Sequence, residues 1–258
     1  MVERIDINVD VGEGFGKYEI PNEAALMPLM TSANIACGYH AGDALTMPKT
    51  IALAKKNGVA VGAHPGLPDL LGFGRRVMQL TPEEIYNYIV HQVGALKAFA
   101  EIEGIKLHHV KPHGAFLRST KEYVEQAQAV VQAVLDITPD LPVYCPAPVA
   151  HYHPDLAVEA EKRGLKIIPE FYADLNYAPS GVLDQSKNKK LVATPEAAAQ
   201  RVLRFLQSGK VKSTGGTDVE VEAPTICIHG DNPRSLDRLK AIHRLLTEAG
   251  IEICPLNG

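Results

Sequence analysis

The N-terminal stretch of the chain is the most informative about the fold, and it reads Arg4-Ile5-Asp6-Ile7-Asn8-Val9-Asp10-Val11-Gly12-Glu13-Gly14-Phe15-Gly16. Its first part, Ile5–Val11, is rich in β-branched residues and predicts a strand. The glycines that follow predict a tight turn in which the backbone can approach a ligand closely. The strand therefore ends in a loop that carries carboxylate side chains.

Similar short runs alternate with longer helical patterns along the rest of the chain. The other predicted strands are Ser32–Cys37, Val59–Ala63, Leu107–Lys111, Pro142–Cys145, Leu165–Glu170 and Thr225–His229, with Ile251–Cys254 as an eighth strand or a closing edge. Strand–helix alternation predicts parallel strands joined by right-handed crossovers. We expect an α/β protein in which residues 1–258 form one domain, a (β/α) barrel of seven to eight parallel strands. An open doubly wound sheet is the alternative, and polar residues after nearly every strand favour the barrel.

Capping signals mark the predicted helices. Thr81 with Glu84, and Ser119 with Glu122, have the spacing of a capping box. Thr194-Pro195-Glu196 predicts another helix start, which Gly209 can end, and Pro233 predicts the start of the last helix. Two long irregular stretches, Gly66–Leu80 and Phe171–Ala193, are candidates for loops over a site.

Composition excludes several classes of function. The chain has 258 residues, 46% of them hydrophobic, and a formal net charge of −4. A nucleic-acid partner would need a basic stripe, and a membrane protein would need an apolar run of about 18 residues; neither pattern is present. The cysteines lie far apart without a Cys-x-x-Cys pair, which predicts reduced, mostly buried thiols in a cytoplasmic protein. A nucleophilic role for Cys37 or Cys227, which lie near strand ends, is the alternative.

Ionisable and amide side chains follow six of the predicted strands. They are Asn8, Asp10 and Glu13; His40 and Asp43; His64; Lys111 and His113; Glu170 and Asp174; and His229 and Asp231. The carboxyl ends of the strands in a barrel form one face, where reacting groups converge. We therefore expect these side chains to surround a common cavity.

Other residues leave alternatives open. Arg75 and Arg76 could clamp a carboxylate or phosphate, or they could be an exposed loop pair. One residue of the pair His108-His109 must point away from the barrel interior, and we expect His151 and His153 at the surface. The histidines suit zinc in kind, but no His-x-x-x-His pair is present, so we assign no metal ligands. No dinucleotide fingerprint or phosphate loop is present either.

Long motifs in series resemble the LamB/YcsF family. They are Asn8–Gly16, Thr31–Asp43, Gly62–Asp69, Gly72–Arg76, His109–Ala115 and Cys227–Asp231, in the family's order and over nearly the whole chain. The resemblance implies a distorted seven-stranded barrel similar to those of glycoside hydrolases and polysaccharide deacetylases. It also implies an ATP-dependent 5-oxoprolinase activity, the opening of 5-oxo-L-proline to L-glutamate, with ATP as co-substrate and 5-oxoprolinase subunits B and C as partners.

The sequence departs from the family pattern at two places. The family usually reads Phe-Ala-Asp-Arg-x-Tyr after the sixth strand, whereas Tyr172–Tyr177 here lacks the arginine. A second arginine, expected shortly after Leu183, is also absent. Lost arginines concern the anion or the lactam that is bound more than the class of reaction.

The resemblance supports a mechanism in which water attacks an activated lactam. Asp10, Asp43 or His64 is the expected general base, Lys111 neutralises negative charge, and His113 protonates the ring nitrogen. The expected substrate- and phosphate-binding residues are Asn8, Glu13, His40, Arg75, Arg76, Glu170, Asp174, His229 and Asp231. Two alternatives are a metal-dependent amidohydrolase or deacetylase that needs no ATP, and a non-catalytic protein that binds the lactam for its partners.

Overall fold

A computed structural model describes residues 2–117, 123–147, 155–184 and 191–256. The predicted capping pair Ser119 and Glu122, and also His151 and His153, lie outside these ranges. The strands in the described part of the chain are β1 Arg4–Val11, β2 Ser32–Ala36, β3 Ala60–His64, β4 His109–Val110, β5 Val143–Pro146, β6 Ile167–Tyr172, β7 Lys210–Lys212, β8 Asp218–Glu220, β9 Thr225–His229 and β10 Glu252–Ile253.

The main sheet closes on itself as a barrel. Parallel pairs run in the order β1-β2-β3-β4-β5-β6-β9, and β9 pairs with β1. This closure confirms the predicted barrel and excludes the open doubly wound sheet. The predicted eighth strand, β10, pairs in parallel with the start of β1 outside the ring, through Arg4 and Ile5. The antiparallel ribbon of β7 and β8 was not predicted.

Both faces of β1 are buried, although its apolar and polar residues alternate strictly. Its apolar residues, such as Ile7 and Val9, lie in the hydrophobic core. Its polar residues point into the barrel: Asp6 accepts hydrogen bonds from Ser32 and Thr225, and the other two make similar bonds. Most barrels fill this space with branched apolar side chains. Here a hydrogen-bonded polar interior supports the groups above it.

Helices surround the barrel. In the described residues they are α1 Glu23–Leu26, α2 Thr46–Asn57, α3 Pro82–Ile102, α4 Val124–Ile137, α5 Asp155–Lys162, α6 Pro195–Ser208 and α7 Ser235–Glu248, with short 3-10 turns at Met27–Leu29 and Leu70–Gly72. The capping box of Thr81 and Glu84 is present, Thr194 caps α6, and Gly209 ends α6 in the left-handed region. The last helix begins at Ser235, two residues after the predicted start at Pro233.

The remaining general expectations concern cysteines and membrane spans. All four cysteines are free; three are buried, and Cys254 is partly exposed. This agrees with the prediction of reduced, mostly buried thiols. None of the helices in the described ranges has both the length and the apolar character needed to cross a bilayer.

Candidate active site

A cavity of about 720 Å³ lies at the carboxyl ends of the barrel strands. This volume is in the range of small-molecule sites, about 300–1,000 Å³. Most of the predicted site residues line it: Asp10, His64, Arg75, Lys111, His113, Asp174, His229 and Asp231. Others lie buried directly behind this lining: Asn8, Glu13, His40 and Glu170. The structure therefore brings together groups that are separated by more than two hundred residues in the sequence.

A buried ion pair forms the floor of the cavity. The Lys111 Nζ lies 2.8 Å from Asp10 Oδ1 and 3.4 Å from Glu170 Oε2. Burial alone would lower the pKa of Lys111, but these carboxylates, Asp10 above all, hold it well above its ordinary value. Burial alone would raise the pKa of Asp10, but His64 and Lys111 bring it well below its ordinary value. The floor therefore carries an ammonium group and a carboxylate in contact.

The thiol beside this pair is not a nucleophile. Cys227 Sγ accepts a hydrogen bond from Lys111 at 2.9 Å. Burial raises the pKa of Cys227 well above its ordinary value, and it raises the pKa of Cys37 to about 12. Because the reactive form of cysteine is the thiolate, neither residue has the properties of a nucleophile.

A histidine–aspartate pair forms one wall of the cavity. His229 Nδ1 lies 3.0 Å from Asp174 Oδ2, and the His229 backbone N–H donates to the same oxygen at 3.2 Å. Its other ring nitrogen, Nε2, lies 3.9 Å from Asp10 Oδ2. Burial alone would lower the pKa of His229, but the Asp174 carboxylate, with help from Asp10, raises it above its ordinary value. An imidazole held in this way is suited to proton transfer.

A cluster of three histidines and a glutamate lies on the other side of Asp10. His113 Nδ1 and His64 Nε2 are 3.0 Å apart, His40 Nε2 lies 3.3 Å from Glu13 Oε1, and the imidazoles of His40 and His113 stack at 3.8 Å. Burial lowers the pKa of His64 to about 3 and those of the other two histidines well below their ordinary value. Burial, followed by the charge of Asp10, raises the pKa of Glu13. These four side chains are of types that can hold a metal ion.

An arginine lies at the mouth of the cavity. Arg75 is partly exposed, its guanidinium makes an ion pair of 3.0 Å with Asp231, and it lies over the ring of Phe73. Its neighbour Arg76 lies outside the lining, where its Nε donates to Asp69 Oδ1 at 2.9 Å. The sequence did not separate the two arginines; the structure brings only Arg75 to the cavity.

Asp43 is the other predicted site residue that lies apart from the cavity. It accepts hydrogen bonds from the backbone of Gly16 at 2.7 Å and of Leu45 and Thr46 near the start of α2. The Gly16 bond is the main reason why its pKa falls to about 2. Asp43 therefore ties the loop after β2 to the glycine-rich loop after β1, and the expectation of a catalytic role is corrected.

The family comparison identifies the chain. The model of the LamB/YcsF family matches residues 5–258. The chain belongs to the LamB/YcsF family. Its relatives include the A-subunit of 5-oxoprolinase from Pyrococcus abyssi, which is 45% identical over 254 residues and 98% of each chain. The crystal structure of the lactam utilization protein from Thermus thermophilus is 40% identical, covers 98% of this chain and 100% of its own, and has a TM-score of 0.91.

More distant structures share the fold alone with this LamB/YcsF chain. A candidate cellobiose-phosphate cleavage protein from Enterococcus faecalis is 12% identical and has a TM-score of 0.56, over 98% of this chain and 97% of its own. This likeness agrees with the expected barrel class. It carries no information about the reaction.

Sequence reasoning missed two residues of the LamB/YcsF barrel interior. Asn34 donates to Asp10 Oδ1 at 2.7 Å, and its own oxygen lies 2.6 Å from His109 Nε2. An amide in the middle of a buried strand was the available signal. His108 points the other way, to the backbone of Leu256, so the prediction that this adjacent pair divides is confirmed.

The missing family arginines leave a different arrangement beside the cavity. Leu175 lines the cavity where the family pattern has arginine, and Asn176 accepts a hydrogen bond from Arg201 at 3.0 Å. The Arg201 guanidinium comes from α6 and lies over the ring of Tyr177. At the second position, Asp184 accepts a hydrogen bond from Thr214, while residues 185–190 lie outside the described ranges.

Proposed function

We propose that the chain is the A-subunit of a 5-oxoprolinase and opens 5-oxo-L-proline, or a closely related lactam, to L-glutamate with hydrolysis of ATP. Full-length relatives that carry the name of this 5-oxoprolinase component support the substrate class. The single observation that carries the assignment to this cavity is the convergence of a proton-transfer pair, His229 and Asp174, with the Lys111 ammonium.

A five-membered lactam is a nearly unstrained amide, so water attacks it poorly. In the proposed reaction ATP phosphorylates the lactam oxygen, which makes the carbonyl carbon a better electrophile. Water then adds to that carbon, the ring C–N bond breaks, and the nitrogen takes a proton. A second water hydrolyses the resulting acyl phosphate to glutamate and phosphate.

The geometry favours His229 for the proton transfers. Its Nε2 is free of the Asp174 bond, and its raised pKa brings it closer to neutral pH than His64, whose pKa is about 3. His113 was expected to protonate the ring nitrogen, but its two ring nitrogens face His64 and the Phe73 carbonyl. His229 would take the proton from water and deliver it to the ring nitrogen, a role worth about 10²–10⁴-fold in rate.

Two cationic groups would hold the negative charges of the substrate. The Lys111 ammonium at the floor would stabilise charge on the carbonyl oxygen and its phosphoryl group. Arg75 at the mouth would bind the substrate carboxylate, and Asp231 would orient its guanidinium. Asn8, Glu170 and Asn34 would act from behind the lining by holding Lys111 and Asp10 in place.

ATP and partner proteins complete the proposal. The chain lacks a phosphate loop, so ATP would be bound in another way or together with subunits B and C. The relatives are named as one lettered component of 5-oxoprolinase, which supports a complex of several chains. We place this complex in the cytoplasm, in agreement with the free cysteines.

An assay of glutamate formation tests the proposal against its alternatives. We expect glutamate from 5-oxo-L-proline only when ATP and the partner proteins are present with this chain. Full activity without ATP would replace the proposal by a metal-dependent amidohydrolase. Full activity of the partners without this chain would reduce its role to lactam binding.

A further inference from the structure

The cluster of Glu13, His40, His64 and His113 contains two nitrogen lone pairs that face each other. His64 Nδ1 lies 2.6 Å from the carbonyl oxygen of Lys111, and His113 Nε2 lies 2.8 Å from the carbonyl oxygen of Phe73. A carbonyl oxygen only accepts, so each of these nitrogens carries the ring proton. In a neutral imidazole the other nitrogen is then unprotonated.

The two unprotonated nitrogens, His64 Nε2 and His113 Nδ1, are the atoms that lie 3.0 Å apart. Two acceptors at this distance cannot form a hydrogen bond with each other and repel unless a cation lies between them. Glu13 Oε1 lies 4.0 Å from the same His113 nitrogen, which adds a third electron-pair donor to the group. The arrangement lacks a positive charge at the point where its donors meet.

We infer that these four side chains form a binding site for a divalent first-row transition-metal ion, zinc by preference. His64 Nε2, His113 Nδ1, His40 Nε2 and Glu13 Oε1 are the proposed donors. One ligand atom from each of the four side chains lies within 4.8 Å of the others. A tetrahedral zinc ion with ligands at about 2.0–2.1 Å separates them by about 3.3 Å, close to the 3.0 and 3.3 Å observed within the cluster.

The surroundings have the form of a metal site. Metal-bound histidines usually donate their other N–H to a carbonyl or carboxylate, as His64 and His113 do here. His40 has no such partner for Nδ1 among the described residues, and its ring is held by stacking on His113. Glycines leave room for the rings, since a Cβ at Gly66 would overlap His40. A donor set of imidazole and carboxylate suits zinc better than magnesium or calcium.

The site faces the same cavity, because His64 and His113 also line it. Its existence does not depend on the lactam reaction, since metal binding by the purified chain can be measured without any substrate. A neighbouring group, Asp10, Cys227 and His229, could hold an ion as well. The experiment must separate the two positions.

Metal binding is tested on the full-length chain after removal of metals with a chelator. Zn²⁺ is titrated against a competing indicator, and Co²⁺ is added separately to record its visible spectrum. We expect one ion per chain and an intense Co²⁺ absorption typical of a tetrahedral site. His64→Gln and Glu13→Gln should each weaken Zn²⁺ binding about 100-fold or more.

Control variants make the result decisive. His91→Gln changes an exposed histidine outside the cluster and should bind Zn²⁺ as the unchanged chain does. Cys227→Ser should also leave the affinity unchanged. The inference is overturned if the unchanged chain binds no ion, if His64→Gln and Glu13→Gln bind as tightly as His91→Gln, or if only Cys227→Ser loses the ion. The unchanged chain gives its answer even if a variant fails to fold.

Discussion

Single residues in the barrel interior carry charges that a protein normally keeps in water. Lys111 is almost completely buried between Asp10 and Glu170. Removing one partner of such a pair leaves an uncompensated buried charge. A substitution at this position therefore changes stability as well as activity, although the sequence alone suggested that Lys111→Met would leave the fold intact.

Lys111→Met should lower the free energy of unfolding by about 3–5 kcal/mol, because two carboxylates lose their ammonium partner. Urea denaturation of the purified chain measures this loss. Lys111→Met combined with Glu170→Gln should recover part of it. A loss no larger than the ~0.5 kcal/mol typical of surface substitutions would show that the pair is not a buried ion pair.

Asp174→Asn should move the acid limb of the pH profile of kcat/KM to lower pH. The Asp174 carboxylate raises the pKa of His229, so its removal lowers that pKa, and the neutral base form then persists to lower pH. Activity of the assembled enzyme between pH 5 and 9 measures the shift. Arg76→Gln is the control, and a limb that stays in place or moves upward in Asp174→Asn would contradict the role of the pair.

The adjacent arginines provide a matched test of substrate binding. Arg75→Gln should raise KM for the lactam about tenfold or more with a smaller change in kcat, because a carboxylate loses a charged partner at the cavity mouth. Arg76→Gln should leave both constants unchanged, since Arg76 pairs with Asp69 away from the cavity. Equal effects of the two variants would mean that Arg75 has no special contact with substrate.

At this scale the sequence could predict which residue types reach the cavity but not how each one is used. Asp43 and Asp10 both follow strands and looked equivalent. Their difference arises from backbone donors: Asp43 is saturated by three N–H groups of the loops, whereas Asp10 meets Lys111. Partners that lie far apart in the sequence are set by tertiary contacts, which no local pattern encodes.

Among the elements, β1 was predicted almost residue for residue because its run of β-branched residues is long. By contrast, β4 has only two residues where five were predicted, although the backbone of His108 and of Lys111 still bonds to β3. The β7–β8 ribbon escaped prediction because each strand has three residues and buries a single valine, Val211 or Val219. Such short strands depend on tertiary contacts for their existence.

Two glycines in regular elements should respond in opposite directions to alanine. Gly62 lies in β3, where a Cβ would overlap the His109 ring, so Gly62→Ala should destabilise the chain by about 1–3 kcal/mol. Gly94 lies within α3 with open space around it, so Gly94→Ala should stabilise the chain by about 0.5–1 kcal/mol. Thermal unfolding of both variants measures this. Equal changes in both would contradict the packing described for β3.

For the whole molecule, the alternation of strands and helices was sufficient to predict a closed barrel. The unpredicted feature was its polar interior, since alternation in β1 is also typical of a strand with one face in water. Closure turns that polar face inward, so it supports the cavity floor while the apolar face packs in the core. The site is therefore a product of the whole ring and of no single segment.

The most direct test of the account is the initial rate of glutamate formation from 5-oxo-L-proline and ATP by the assembled enzyme carrying His229→Gln. If His229 transfers the proton in this cavity, the rate should fall about 10²–10⁴-fold relative to the unchanged enzyme, while the folded chain still joins its partners. An unchanged rate in a correctly assembled complex would contradict the account.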